Sequence, residues 1–148
     1  IPWLEESILN NLSHKQSEYP FLYLNPDFWL SGWFRYWNKI LKDFLKTKDD
    51  YLKISKLICS VEIFPYHSIK YKDINNLVPS QKYSFNLVKK AIKRWATIVI
   101  MRSEKKWLEY IPELKDYWYI KTNSNQNVCL TKNNLSNEDY NELKGLFK

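Results

Sequence analysis

The sequence predicts an α/β fold of three layers, a mostly parallel sheet of about four to five strands with helices on both faces. Three observations lead there. Short apolar, β-branched runs alternate along the chain with segments whose apolar residues recur every three or four positions. One run, Leu57–Phe64 (L-I-C-S-V-E-I-F), is continuous enough for a strand buried on both sides, and it stops at Pro65 to deliver Tyr66, His67 and Ser68. The length, 148 residues, suits a single domain over 1–148 with a core of its own.

Taken in order, Pro2–Leu12 sets Leu4, Ile8 and Leu12 four residues apart with Glu5 and Glu6 in the first turn, which is an amphipathic helix. The chain opens on this segment abruptly, as a fragment of a longer chain would. Ser13–Tyr19, with His14, reads as a solvated connection. Phe21–Leu24, between Pro20 and Asn25-Pro26, reads as the first strand and its turn. Ser31 is placed as the N-cap of a helix carrying Trp33, Phe34, Trp37, Ile40, Leu41, Phe44 and Leu45. Leu57–Phe64 is the second strand, and Ile69–Lys82 a loop or lid.

Ser84 then caps a helix that runs through Trp95, with Phe85, Val88, Ala91, Ile92 and Trp95 inward. Thr97–Met101 is a third strand ending at Arg102. Ser103 caps the next helix, with Trp107, Leu108 and Ile111 inward until Pro112. Tyr117–Ile120 and Asn127–Leu130 are two further short strands around an Asn-rich turn. Ser136, with Asp139 three residues on, opens a last helix carrying Tyr140, Leu143 and Phe147.

Composition narrows the function classes. The formal charge is +7 and aromatic residues make up 17% of the chain, a pairing that suits a nucleic-acid partner because cations neutralise phosphates and rings stack on bases. The bland alternative is a Lys- and Asn-rich chain that simply leans basic. Only Gly32 and Gly145 are present, which excludes a P-loop and a dinucleotide fingerprint. Cys59 and Cys129 lie far apart in apolar runs with no Cys or His at metal spacing, so they read as buried thiols and no metal or other cofactor is expected. No stretch has the length of a membrane span and the first residues lack a signal-peptide pattern, so the expectation is a cytoplasmic protein with no membrane partner.

In a parallel sheet the strand exits gather on one edge, which is where chemistry is expected. They would bring together Asn25-Pro26 with Phe28 and Trp29, Tyr66-His67-Ser68, Arg102, and the polar run Thr131–Asn134 that includes Asn133. Such a rim suits a planar polar ligand such as a base. His67 is either catalytic or hydrogen-bonded for structure. Glu62, sharing a strand face with Ser60 and Phe64, would be a buried carboxylate and so a candidate general base. Arg102, just before a helix, suits a phosphate or an ion pair within the protein. Lys89, Lys90, Lys93 and Arg94 crowd one helix face without an acid among them, the most concentrated positive patch of the chain.

The order strand, Asn-Pro turn, helix, strand, helix, strand, helix, strand over Phe21–Asn134 resembles the uracil-DNA glycosylase superfamily. The text matching that family's first motif is Tyr23-Leu24-Asn25-Pro26, and Phe28 corresponds to its base-stacking aromatic. Where the family carries His-Pro-Ser after the last strand, this chain has Leu130-Thr131-Lys132-Asn133-Asn134. The resemblance implies a pocket for a base extruded from DNA, with Asn25 in a catalytic role; the residues at the strand exits themselves add His67 as a second catalytic candidate and Glu62 as general base. Phe28, Tyr66, Ser68 and Asn133 would hold the base, and Lys89, Lys90, Lys93, Arg94 and Arg102 the phosphates. Two classes stay open: a nucleic-acid-acting protein that cleaves or only binds, and a non-enzymatic module docking a protein partner through its basic and aromatic surface.

Overall fold

A computed structural model describes residues 2–64 and 77–148. Among them the chain is a mixture of helix and strand: α1 (Pro2–Leu12), α2 (Gly32–Ile40), α3 (Lys48–Ser55), α4 (Pro79–Lys93), β1 (Ile98–Ile100), α5 (Glu104–Tyr110), β2 (Tyr119–Lys121) and α6 (Asn137–Leu146). Short 3-10 turns lie at Leu22–Leu24, Pro26–Phe28 and Pro112–Asp116. Contacts divide the chain into two compact units, Ile1–Cys59 with Thr122–Lys148, and Ser60–Lys121.

The first unit is helical. Leu24, Ile40, Leu41 and Ile54 are its most deeply buried apolar side chains. Phe21–Leu24 is not the expected strand but a 3-10 turn held by rings: Phe21 lies edge-on to Trp37 at 4.9 Å and Tyr23 stacks on Trp33 at 5.4 Å. Ser31 caps α2 as its position requires, accepting from the Phe34 N–H at 3.0 Å. That helix stops at Ile40 rather than Leu45, and a turn follows in which the Phe44 and Leu45 N–H groups donate to Leu41 O before a second helix starts. The Thr47 hydroxyl accepts from the Asp50 N–H, and the Asp50 carboxylate accepts from the N–H groups of Thr47 (2.7 Å) and Lys46 (2.9 Å). These bonds form a capping box, hold the Asp50 carboxyl below its ordinary range, and begin α3, a helix absent from the expected element order.

Asn127–Leu130 is also irregular rather than a strand. Its carbonyls are taken by a side chain: the buried Asn134 amide donates to Asn127 O at 2.6 Å and to Cys129 O at 2.9 Å. The Leu130 N–H donates to Ile40 O at 2.9 Å, so this segment caps the end of α2 instead of joining a ladder. Ser136 opens α6 by accepting from the Asp139 N–H at 3.0 Å.

The second unit holds the sheet. β1 pairs with β2 in parallel, Ile98 opposite Tyr119, Val99 opposite Ile120 and Ile100 opposite Lys121. The parallel pairing agrees with the expectation, and α5 with the following 3-10 turn forms the connection that parallel strands need. Among the described residues these are the two strands of the sheet, against the four to five expected. Phe85, Ile100, Ile111 and Leu114 form the core, with Val88, Ile92 and Trp107 packed against it. α4 begins at Pro79 rather than at Ser84. Proline at the first helical position is pre-set for the turn, and the Gln81 Oε1 accepts from the Val78 N–H at 2.9 Å, so Ser84 ends up buried inside the helix.

Leu57–Phe64, read as the central buried strand, is irregular and mostly uncovered. Ile63 is buried, but Leu57, Cys59 and Glu62 are exposed, while Cys129 is buried. The stretch contains the boundary between the two units, Cys59 ending one segment and Ser60 beginning the next. Tyr66, His67, Ser68 and the greater part of the expected lid lie outside the described residues. No helix among the described residues is long and apolar enough to cross a membrane.

Glu104 ties the start of α5 to β2, accepting from the Tyr119 hydroxyl at 2.7 Å and from the Lys121 Nζ at 3.1 Å. Those bonds, the first from Tyr119, lower the Glu104 carboxyl, and the same bond raises the Tyr119 phenol. A lowered acid stabilises the fold above its unfolded-state range and loses that contribution as pH falls through its folded value. Urea titrations should therefore show wild-type stability falling below about pH 4 more steeply than that of Glu104→Gln, with the two curves converging in acid. Parallel curves across that range would remove the link.

Candidate nucleic-acid interface

α4 must turn Gln81, Ser84, Phe85 and Val88 inward, since these face the core. At about 100° per residue, that choice fixes what faces water. Lys82, Tyr83, Asn86, Lys90, Lys93 and then Arg94 are all exposed, and α4 contains no acidic residue. Lys89, at the margin of this face, is half-buried and pairs with Glu113 of the 3-10 turn at 2.9 Å. The Lys89 ammonium holds the Glu113 carboxyl below its ordinary range, with a lesser contribution from Lys93. An open groove of about 380 Å³ lies alongside, lined by Tyr83, Asn86, Lys90 and Glu113 among others.

Lys82, expected at the end of the loop, and Tyr83, expected just ahead of the helix cap, are both parts of this face. The missed signal was Pro79: read as a first helical residue, it moves the helix start back and brings both residues onto the basic side. Their addition makes the surface longer and gives it an aromatic side chain, with Tyr83 64% exposed.

The far end of α4 departs most from expectation. Trp95, assigned inward by its spacing, is 85% exposed. Its N–H donates to Ile92 O at 3.0 Å and the Ala96 N–H to Ala91 O at 3.1 Å, the paired bonds of a Schellman motif. That motif requires a left-handed residue, and Trp95 supplies it at φ 57°. The turn throws the side chain off the helix stripe, which is why helical spacing misplaced it. The indole meets the Tyr117 ring, tilted by 35° at 6.3 Å, and the Tyr117 hydroxyl donates to Ala96 O at 2.7 Å.

The other expected site residues are placed as follows. Asn25 caps the Pro26–Phe28 turn, its Oδ1 accepting from the Asp27 N–H at 3.0 Å. Phe28 is not open to a base: it is 3% exposed and stacked on Trp3 at 5.0 Å. Trp29 is exposed instead. Asn133 is exposed while its neighbour Asn134 is the buried, structural amide. Glu62 is exposed and outside any strand, so the burial that its role as a general base needed is missing. Arg102 is exposed between β1 and α5. Asn25, Phe28 and Asn133 belong to the first unit, whereas Glu62, Arg102 and the α4 cations belong to the second. The structure thus gathers Lys89, Lys90, Lys93 and Arg94 on one helix. Among the described residues, no group of three His, Cys, Asp or Glu could hold a metal ion.

No protein-family model, curated protein or solved structure matches the chain.

A left-handed backbone costs a non-glycine residue about 1–2 kcal/mol, and a partly open ring contact returns roughly 0.5–1 kcal/mol. Trp95→Gly should therefore stabilise the protein by about 0.5–1 kcal/mol, read as a higher urea midpoint at unchanged slope. A lower midpoint would show that the indole packs for stability after all.

Proposed function

We propose that this protein binds nucleic acid through the outer face of α4. The observation that carries the reading is the run of exposed Lys82, Lys90, Lys93 and Arg94 on one helical side with no acid in the helix. Cations gathered on one side of a rigid rod match the repeated charges of a phosphate backbone better than scattered surface lysines do. The exposed Tyr83 adds a ring at the same face. α4 also ends in Lys90 and Lys93, which favours the helix itself through its dipole, so the patch costs the fold little.

The resemblance to uracil-DNA glycosylases would add base release to this reading. The geometry supports binding more than release, because the Asn25 carbonyl is occupied as a cap and Phe28 is packed away. Release of free uracil from uracil-containing DNA by the whole chain, and its loss in His67→Ala with binding retained, would extend the proposal to catalysis. A second reading, docking of a protein partner, rests on different residues. α1 leaves Leu9 and Leu12 exposed, at 57% and 70%, and Trp29 and Leu30 are exposed as well.

Binding through α4 fixes the outcome of a salt titration. Affinity for DNA should fall with salt, and each of Lys90→Ala and Lys93→Ala should flatten the slope by about 0.7–0.9. Slopes unchanged from wild type in both variants would move the contact elsewhere. Glu113→Gln should act in the opposite sense, freeing Lys89 and raising affinity at low salt roughly two- to fivefold, an effect that salt should erase. Anisotropy titrations at several salt concentrations read all three variants.

A further inference from the structure

We infer that Trp95 is a base-stacking platform, and that the nucleic acid bound along α4 is single-stranded. The inference rests on the proposed α4 interface and adds to it the form of the ligand. A Schellman turn asks for glycine, and this one holds the largest side chain instead, in a left-handed conformation and 85% exposed. Packing does not account for it: the indole's ring neighbour is Tyr117, tilted and 6.3 Å away. A strained backbone that displays a ring to solvent is the arrangement expected where the ring is used.

What surrounds the ring says for what. Arg94 is its immediate neighbour, and Lys93 and Lys90 lie about 3 and 7.5 Å back along the helix axis. A base on the indole would thus have its phosphates within reach of guanidinium and ammonium groups. Tyr117 is anchored by its hydroxyl bond to Ala96 O, which gives the platform a fixed side and leaves the indole's other side open. Tyr83 stands about 18 Å up the same helix, a second exposed ring at the other end of the cationic run. An exposed ring near each end of a line of cations suits a strand whose bases are unpaired. A duplex keeps its bases stacked within, and exposing one costs a few kcal/mol, so an open indole beside phosphate-binding groups selects the strand that is already open.

The test compares oligothymidylate, oligouridylate, an abasic strand of the same length and a duplex, titrated by anisotropy against the full chain and its variants. Trp95→Ala should weaken binding to oligothymidylate about 5- to 100-fold, leave the abasic strand unchanged and leave the salt slope unchanged. Trp95→Phe should restore most of the loss. Trp95→Gly should lose affinity like Trp95→Ala while relieving the turn, which separates lost stacking from lost folding. A preference for the ribo- or deoxyribo-strand names the source and supports the inference either way. Wild-type-like binding of oligothymidylate by Trp95→Ala, with salt sensitivity intact, would overturn the stacking role and leave the α4 interface standing, as would a preference for duplex. No salt-sensitive binding to any of these would overturn both.

Discussion

The interaction on which the second unit depends is the packing of one side of α4 on the residues around the β1–β2 pair. Phe85 stacks on Tyr110 at 5.0 Å and meets Trp107 edge-on at 6.0 Å, inside a core shared with Ile100, Ile111 and Leu114. Each such side chain contributes about 1.5–3 kcal/mol when fully buried. Rotating the helix by even one residue would expose Phe85 and bury Asn86 or an ammonium group, a cost no surface interaction could offset. The positive face is therefore not an independent feature. It is the complement of the apolar stripe, fixed in place by the same rotation that builds the core.

Scarcity of glycine is the second constraint. With two glycines in the chain, helix ends that need a left-handed residue must use others. α1 ends on His14 at φ 56°, with the Lys15 N–H donating to Asn10 O and the His14 N–H to Asn11 O. α4 ends the same way on Trp95. Histidine is among the residues that tolerate this conformation, and tryptophan is not. The same motif at two helices thus has a cheap solution and an expensive one. That contrast, rather than exposure alone, singles out Trp95.

The local signals survived in part: Ser31 and Ser136 cap their helices, whereas Ser84 lies inside α4 and Ser103 makes no side-chain capping bond. Ser31 and Ser136 were readable as caps because a cap acts within three residues of its own position. Ile98–Ile100 and Tyr119–Lys121 were readable as strands because β-branched and aromatic residues there find a partner across one connection. Phe21–Leu24 and Leu57–Phe64 have equally apolar text, but an apolar run states only that a segment seeks cover. Phe21–Leu24 found it in the rings of α2, and Leu57–Phe64 became the passage between units. The basic patch was legible for the same local reason, since it lies on one helix. Its missing members, Lys82 and Tyr83, were lost with the helix start, and Trp95 was lost because periodicity assumes that the helix has not yet ended.

The pocket inferred from strand exits asked for more than the described residues supply. It needed several strands to bring Asn25, Glu62, Arg102 and Asn133 to one edge. The structure gives Asn25 a capping duty, leaves Glu62 in open water and buries Phe28 against Trp3. Catalysis on a base needs a dry site and a carboxylate or imidazole tuned by burial, whereas binding a strand needs only cations and rings at the surface. α4 and its terminal turn meet the second requirement with side chains that the fold already places. The proposed binding would depend on one helix staying rigid, and that helix rests on Phe85, Ile100, Ile111 and Leu114 beneath it.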